Sequence, residues 1–207
     1  MRACSRSQIG GGYGMSLPFD MPPGLTSEAQ RELERWDTER QALIAQIKAF
    51  PLRILVWGPG SASLSPVAVK RVQIRDALLA QGFVAVFSEI WATAEPGLSQ
   101  KTNELTQALT AHLIIILIED SPGALGEMHD FSSHQDIVRI MYVMCPRKYS
   151  DGYSVKGAGF ILSVGFGNLH LYEDGEIESC AVLTRALERA NALREVVAYR
   201  KLRSTVQ

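Results

Sequence analysis

Residues 113–131 read LIIILIEDSPGALGEMHDF. Six aliphatic residues, Leu113 to Ile118, run without a polar break into Glu119 and Asp120, then into a Ser-Pro-Gly corner and on to Glu127 among small residues. A strand that is apolar at every position has no face for water, so it belongs in the middle of a parallel sheet covered on both sides. The acids mark its solvated end. Pro122 and Gly123 fix a turn, a helix is expected from about Ala124 to Ser133, and Gly126 keeps its first turn thin enough for Glu127 to project outward.

Working outward, RILVWGPG (53–60) reads as a buried strand running into a glycine-rich turn. SPVAVKRVQIRDALLAQG (65–82) reads as an amphipathic helix closed by Gly82, and FVAVFSE (83–89) as the next strand. A loop at 91–98, a helix from about Ser99 to Thr110 and the strand at 112–118 complete a second unit, and DIVRIMYVMCP (136–146) reads as a fourth strand. The stretch 157–176 is expected to add one or two short strands. This alternation predicts an α/β, Rossmann-like parallel sheet of flavodoxin-like order with helices on both faces.

Amphipathic helices are expected at each end of the chain. In TSEAQRELERWDTERQALIAQIKAF (26–50), Leu33, Trp36, Leu43, Ile44 and Ile47 recur at helical spacing, and Ser27 with Gln30 fits a capping box. This helix either covers the main domain or pairs with another subunit, making the chain a homo-oligomer. A long helix is expected over 179–202. The organisation is a flexible tail at 1–25, with Met15 as an alternative start, an accessory helix at 26–50, and one domain over 51–207.

The 207 residues are 46% hydrophobic and 21% charged, with a formal net charge of -1. That balance excludes a disordered chain and a nucleic-acid binder working by bulk charge. The longest aliphatic run is too short to span a bilayer, so no membrane partner is expected. Three widely spaced cysteines, Cys4, Cys145 and Cys180, have neither metal-binding nor redox-motif spacing, which points to the cytoplasm. His129 and His134, five apart, do not share a helix face, and neither a metal nor a cofactor is expected.

In an open parallel sheet, ligands bind at the carboxyl ends of the strands where strand order reverses. If the first and third strands are neighbours, GPGSAS (58–63) and EDSPGALGE (119–127) face one crevice. There Gly58 and Gly60 let a ligand approach the backbone, and Ser61 and Ser63 beside a helix N-terminus suit a phosphate; equally, the glycines turn a strand into a helix. No Walker pattern and no complete Gly-x-Gly-x-x-Gly is present. Ser121 and Gly123 complete the second turn. Trp91 and Phe87 follow the second strand and either stack on a base or pack in the core, while Glu89 and Glu95 lie on the same rim as either ribose hydroxyl partners or solvated loop positions. Glu127, ionised beside a helix N-terminus, is either a nucleophile or cation stabiliser, or a first-turn residue answering the helix dipole.

IIILIEDSPGALGEMHDF, and above all 121–127, resembles the strand-turn-helix of the nucleoside 2-deoxyribosyltransferase-like superfamily, whose wider relatives include TIR domains and SLOG-type nucleotide-binding domains. It is most similar in style to small bacterial anti-phage effectors, including those encoded beside retrons, over roughly residues 52–145. The resemblance implies that Glu127 attacks or stabilises the anomeric carbon of a ribose as an N-glycosidic bond breaks, with Asp120 the next acid in line. An oxocarbenium-like centre does need a nearby negative charge. Nicotinamide leaves NAD as a neutral molecule, whereas a purine leaves best when protonated. The resemblance therefore implies an N-glycosidase acting on NAD or a nucleoside or nucleotide, held in check by a regulatory protein or defence-system partner such as a reverse transcriptase with its nucleic acid. No clear terminal motif for a sugar hydroxyl is present, which separates the chain from the transferases. The other reading is a SLOG-type module that senses a nucleotide without cleaving it.

Overall fold

A computed structural model describes residues 24–91, 97–119, 131, 133–152 and 168–205. The described residues fall into two compact units: those within 51–191 make one, and 24–50 with 192–205 the other.

The larger unit is an α/β domain around a five-stranded parallel sheet. Its strands are β1 (Arg53–Trp57), β2 (Val84–Phe87), β3 (Leu113–Leu117), β4 (Met141–Pro146) and β5 (Leu169–Tyr172), ordered β2-β1-β3-β4-β5. This is the Rossmann-like arrangement, with β3 central. All five β3 residues are buried, as expected of a strand packed on both faces. Leu55 and Trp57 of β1, Ile114 and Ile116 of β3 and Met141, Val143 and Cys145 of β4 point to one face, where they form a core with Ile118 and Phe131. The Trp57 and Phe131 rings meet there at 5.3 Å.

Helices α2 (Pro66–Ala80) and α3 (Gln100–Thr110) follow β1 and β2. Ser65 and Ser99 cap them, accepting from the Ala68 and Thr102 amides. Ala108 of α3 enters the core, and α2 packs on β1 and β2. Gly82, at φ 80°, ends α2 as expected. The chain closes with α5 (Asp174–Glu178) and α6 (Ala181–Thr205), so the long terminal helix is preceded by a short one.

The fourth strand differs from its expected span. Residues Gln135–Ile140 form a short helix, α4, and only Met141–Pro146 are extended. Ile137 and Val138 reach the core from the helix, and buried Asn168 holds its end by donating to the Val138 and Arg139 carbonyls at 3.2 Å each. The helix expected from Ala124 lies almost wholly outside the described residues.

In the second unit, α1 (Ser27–Lys48) is capped by Thr26 rather than Ser27, its Oγ1 accepting from the Ala29 amide at 3.3 Å. No residue of α1 is buried, and Trp36 is 66% exposed. Ile44, Ile47, Val196 and Tyr199 line a groove of about 440 Å³ within this unit. Among the described residues no helix is long and apolar enough to cross a membrane.

Candidate functional site

Because β1 and β3 are adjacent, the turn after β1 and the end of β3 meet at the carboxyl edge of the sheet. Gly58 makes the approach. Its φ is 146°, and a Cβ there would stand 2.9 Å from the Leu117 carbonyl oxygen of β3, so a side chain is excluded by conformation and by space. Beyond it, Ser65 Oγ both caps α2 and donates to Glu119 Oε2 at 3.0 Å. The first crevice wall is thus tied to the second by a hydrogen bond at its floor.

The turn is held from beneath by Arg71, a residue of α2 only 1% exposed. Its Nε and Nη2 donate to the Val56 carbonyl at 3.0 and 2.7 Å, and Nη1 donates to the Pro59 carbonyl at 2.9 Å. Nη1 and Nη2 also form a two-pronged ion pair with Glu89 Oε1 and Oε2 at 2.7 and 2.6 Å. These bonds use all five guanidinium N–H groups. One buried cation therefore fixes the end of β1, the glycine turn and the carboxylate that follows β2.

Glu89 stands on a 3-10 turn, Ser88–Trp91, rather than on the strand itself. Its side chain is 39% exposed. Partial burial pushes its carboxyl up, but hydrogen bonds from Arg71, from its own backbone N–H and from Ser61, with the Arg71 charge, outweigh this and hold it at about 2. Such a group is permanently ionised near neutrality. It accepts hydrogen bonds and cannot serve as a general acid.

Above Glu89 lies a cavity of about 440 Å³, walled by Gly58, Gly60, Ser61 and Ala62 of the turn, by Ser88 and Glu89, and by Gln100, Asn103, Glu104 and Gln107 of α3. The structure therefore brings together Gly58, Gly60, Ser61 and Glu89, four of the residues singled out by sequence. A Cβ on Gly60 would meet nothing within 4 Å, so that glycine borders open space. Ser63 is next to the wall but does not line it; its amide bonds back to the Gly60 carbonyl at 2.9 Å, and its Oγ accepts from the Ser65 amide. Trp91 ends the 3-10 turn, and its side chain lies outside the described residues. Asp120, Ser121, Gly123 and Glu127 lie outside them as well.

Sequence reading missed Arg71. The signal was present, since it interrupts the apolar stripe Val67, Ile74 and Leu78 of α2 with a charge. It also missed the α3 wall, since the sequence reading placed a helix from about Ser99 to Thr110 but singled out none of its polar residues. Phe87 is buried beneath the Arg71 and Arg75 guanidinium groups, 4.3 and 4.4 Å from its ring centre, and is no stacking platform for a ligand. Cys145 is a fully buried free thiol pushed up to about 11 by burial, unsuited to act as a nucleophile.

Compared with models of known protein families the chain matches none, and no curated protein is significantly similar to it.

Proposed function

We propose that the chain is an N-glycosidase that cleaves NAD or another nucleoside or nucleotide, acting as a toxic effector in bacterial anti-phage defence. The observation that supports this most is the cavity at the carboxyl ends of β1 and β2, where a glycine turn with no room for a side chain at Gly58 lies beside a permanently ionised carboxylate, Glu89. A ribose placed there finds in Glu89 an acceptor for its hydroxyls. The resemblance supplies the reacting group, Glu127, whose negative charge offsets the cation that develops at the anomeric carbon as the C–N bond breaks. Water adds to that carbon, the base leaves with the bonding electron pair, and the water's second proton is released. Nicotinamide suits this site best, because its departure needs no proton and Glu89 has none to give.

Incubation of the purified protein with NAD and with nucleotides, followed by chromatography for free base, tests the proposal. Glu127→Gln keeps the shape and removes the charge, so turnover is expected to fall about a hundredfold or more with little change in ligand affinity. Full activity in that variant would pass the role to Asp120.

The second reading is a SLOG-type sensor. Glu89 favours it to this extent: bound through both oxygens to Arg71, it is built to hold a ligand rather than to move protons. A sensor binds nucleotide, releases no base, and loses binding in the Glu127→Gln variant.

A further inference from the structure

The α3 wall of the cavity breaks the rule by which helices dock on sheets. Positions 100, 103, 104 and 107 follow the i, i+3, i+4, i+7 spacing of a core-facing stripe, yet they carry Gln100, Asn103, Glu104 and Gln107. The next positions around the helix, Leu105 and Ala108, meet the apolar core. Thus α3 has two inward faces, one apolar and one of three carboxamides and a carboxylate. Gln107 is only 9% exposed, and Asn103 and Glu104 are half-buried. Gln100 Nε2 donates to Glu104 Oε1 at 2.9 Å within the stripe, and the face as a whole borders the cavity.

The charges of the cavity say which partners fit. Among the described residues its lining holds two carboxylates, Glu89 and Glu104, and no Lys or Arg. Arg71 lies directly beneath but has all five N–H groups engaged. The Ser61 and Ser63 amides are turned to Glu89 and to the Gly60 carbonyl rather than to the cavity. A phosphate is repelled here. An uncharged group rich in both donors and acceptors is not.

We propose that this cavity takes the uncharged nucleoside end of the ligand, with Glu89 accepting from the ribose diol and the carboxamide stripe of α3, centred on Asn103, reading the edge of the base. Carboxamides suit that task because each presents a donor and an acceptor side by side, the pattern that base edges display. The inference rests on the reading of this edge of the sheet as a nucleotide site, and it names the part of the nucleotide held there and the residues that select it. It also relocates the phosphates away from the glycine turn at 58–63, where the sequence alone would put them.

Calorimetric titration of the full chain with adenosine, guanosine, cytidine and uridine, with adenosine 5′-monophosphate, and with inorganic phosphate tests it. Free nucleosides are expected to bind, the 5′-phosphate to change the affinity less than about threefold, and inorganic phosphate alone not to compete. Asn103→Ala, verified as folded by its melting curve, is expected to shrink the ratio between the best and worst base by about tenfold, the effect of one hydrogen bond made to a base. Glu89→Gln is expected to lower ribonucleoside affinity to that of the 2′-deoxynucleoside. An unchanged base ratio in Asn103→Ala, or competition by inorganic phosphate, overturns the inference. The base-release assay separates it from the reading beneath it. Base release by the native protein with an unaltered preference in Asn103→Ala leaves the glycosidase standing and removes the base reader. Selective nucleoside binding without base release does the reverse.

Discussion

Arg71 shows how much one residue organises. Its guanidinium is buried, and removing it would leave the Val56 and Pro59 carbonyls and the Glu89 carboxylate without their shared donor. Deleting one partner of a buried ion pair costs about 3–5 kcal/mol, and Arg71→Met is expected to lower unfolding free energy by that order in urea titration. Glu89→Gln is expected to cost less, since its side chain is partly in water. The double variant should be less damaging than the two costs added, because the residues share one network. Acid tests the same pair. The folded Glu89 carboxyl sits at about 2, below its ordinary 4.5, so the folded state binds this proton more weakly than the unfolded chain does. Its stabilising contribution is full above pH 4.5 and is lost as pH falls toward 2. The stability gap between the native protein and Glu89→Gln should therefore close over that interval. A gap that widens on acidification would contradict the pairing.

Among the elements, the turn between β1 and α2 is the one with least tolerance. At Gly58 an added Cβ would meet a backbone oxygen of the central strand, which cannot move without disturbing its ladder. Gly58→Ala is expected to cost about 1–3 kcal/mol and to weaken nucleoside binding, whereas Gly60→Ala, with nothing within 4 Å, should leave stability nearly unchanged. Comparison of denaturant midpoints decides between them. Legibility in the sequence also varies by element. β1 and β3 were readable because each is an apolar run ended by polar or turn residues. The 136–140 stretch was not, since Ile137, Val138 and Ile140 fit a buried strand as well as a one-turn helix, and what holds α4 is Asn168, a partner some thirty residues away. The same limit hid part of the site. Glu89 could be placed because it ends a visible strand, but its partner Arg71 and the α3 carboxamides become a site only when three separate elements converge, and no local pattern records that convergence.

Across the whole molecule, burial is distributed very unevenly, and two tryptophans report it. Trp57 is fully buried in the sheet core, while Trp36 of α1 is 66% exposed. Trp57→Ala is expected to lower unfolding free energy by about 3–5 kcal/mol. Trp36→Ala should change it by no more than about 0.5 kcal/mol, with a loss of long-wavelength fluorescence as its only clear signature. Equal costs would contradict the burial described here.

The parallel register of the sheet governs how the chain comes to be folded at all. Arg53 of β1 pairs with Val84 of β2, and Ile54 with Leu113 of β3, so no strand finds its neighbour nearby in sequence. Sheets closed by such distant contacts fold in roughly milliseconds to seconds rather than microseconds. On a ribosome adding about 5–20 residues per second, the ILVW segment of β1 waits some 3–12 s for β3 to emerge, exposing one of the most apolar stretches of the chain for all that time. Newly made protein should therefore depend on chaperones, and slower elongation should lengthen that exposure, long before any question of ligand arises.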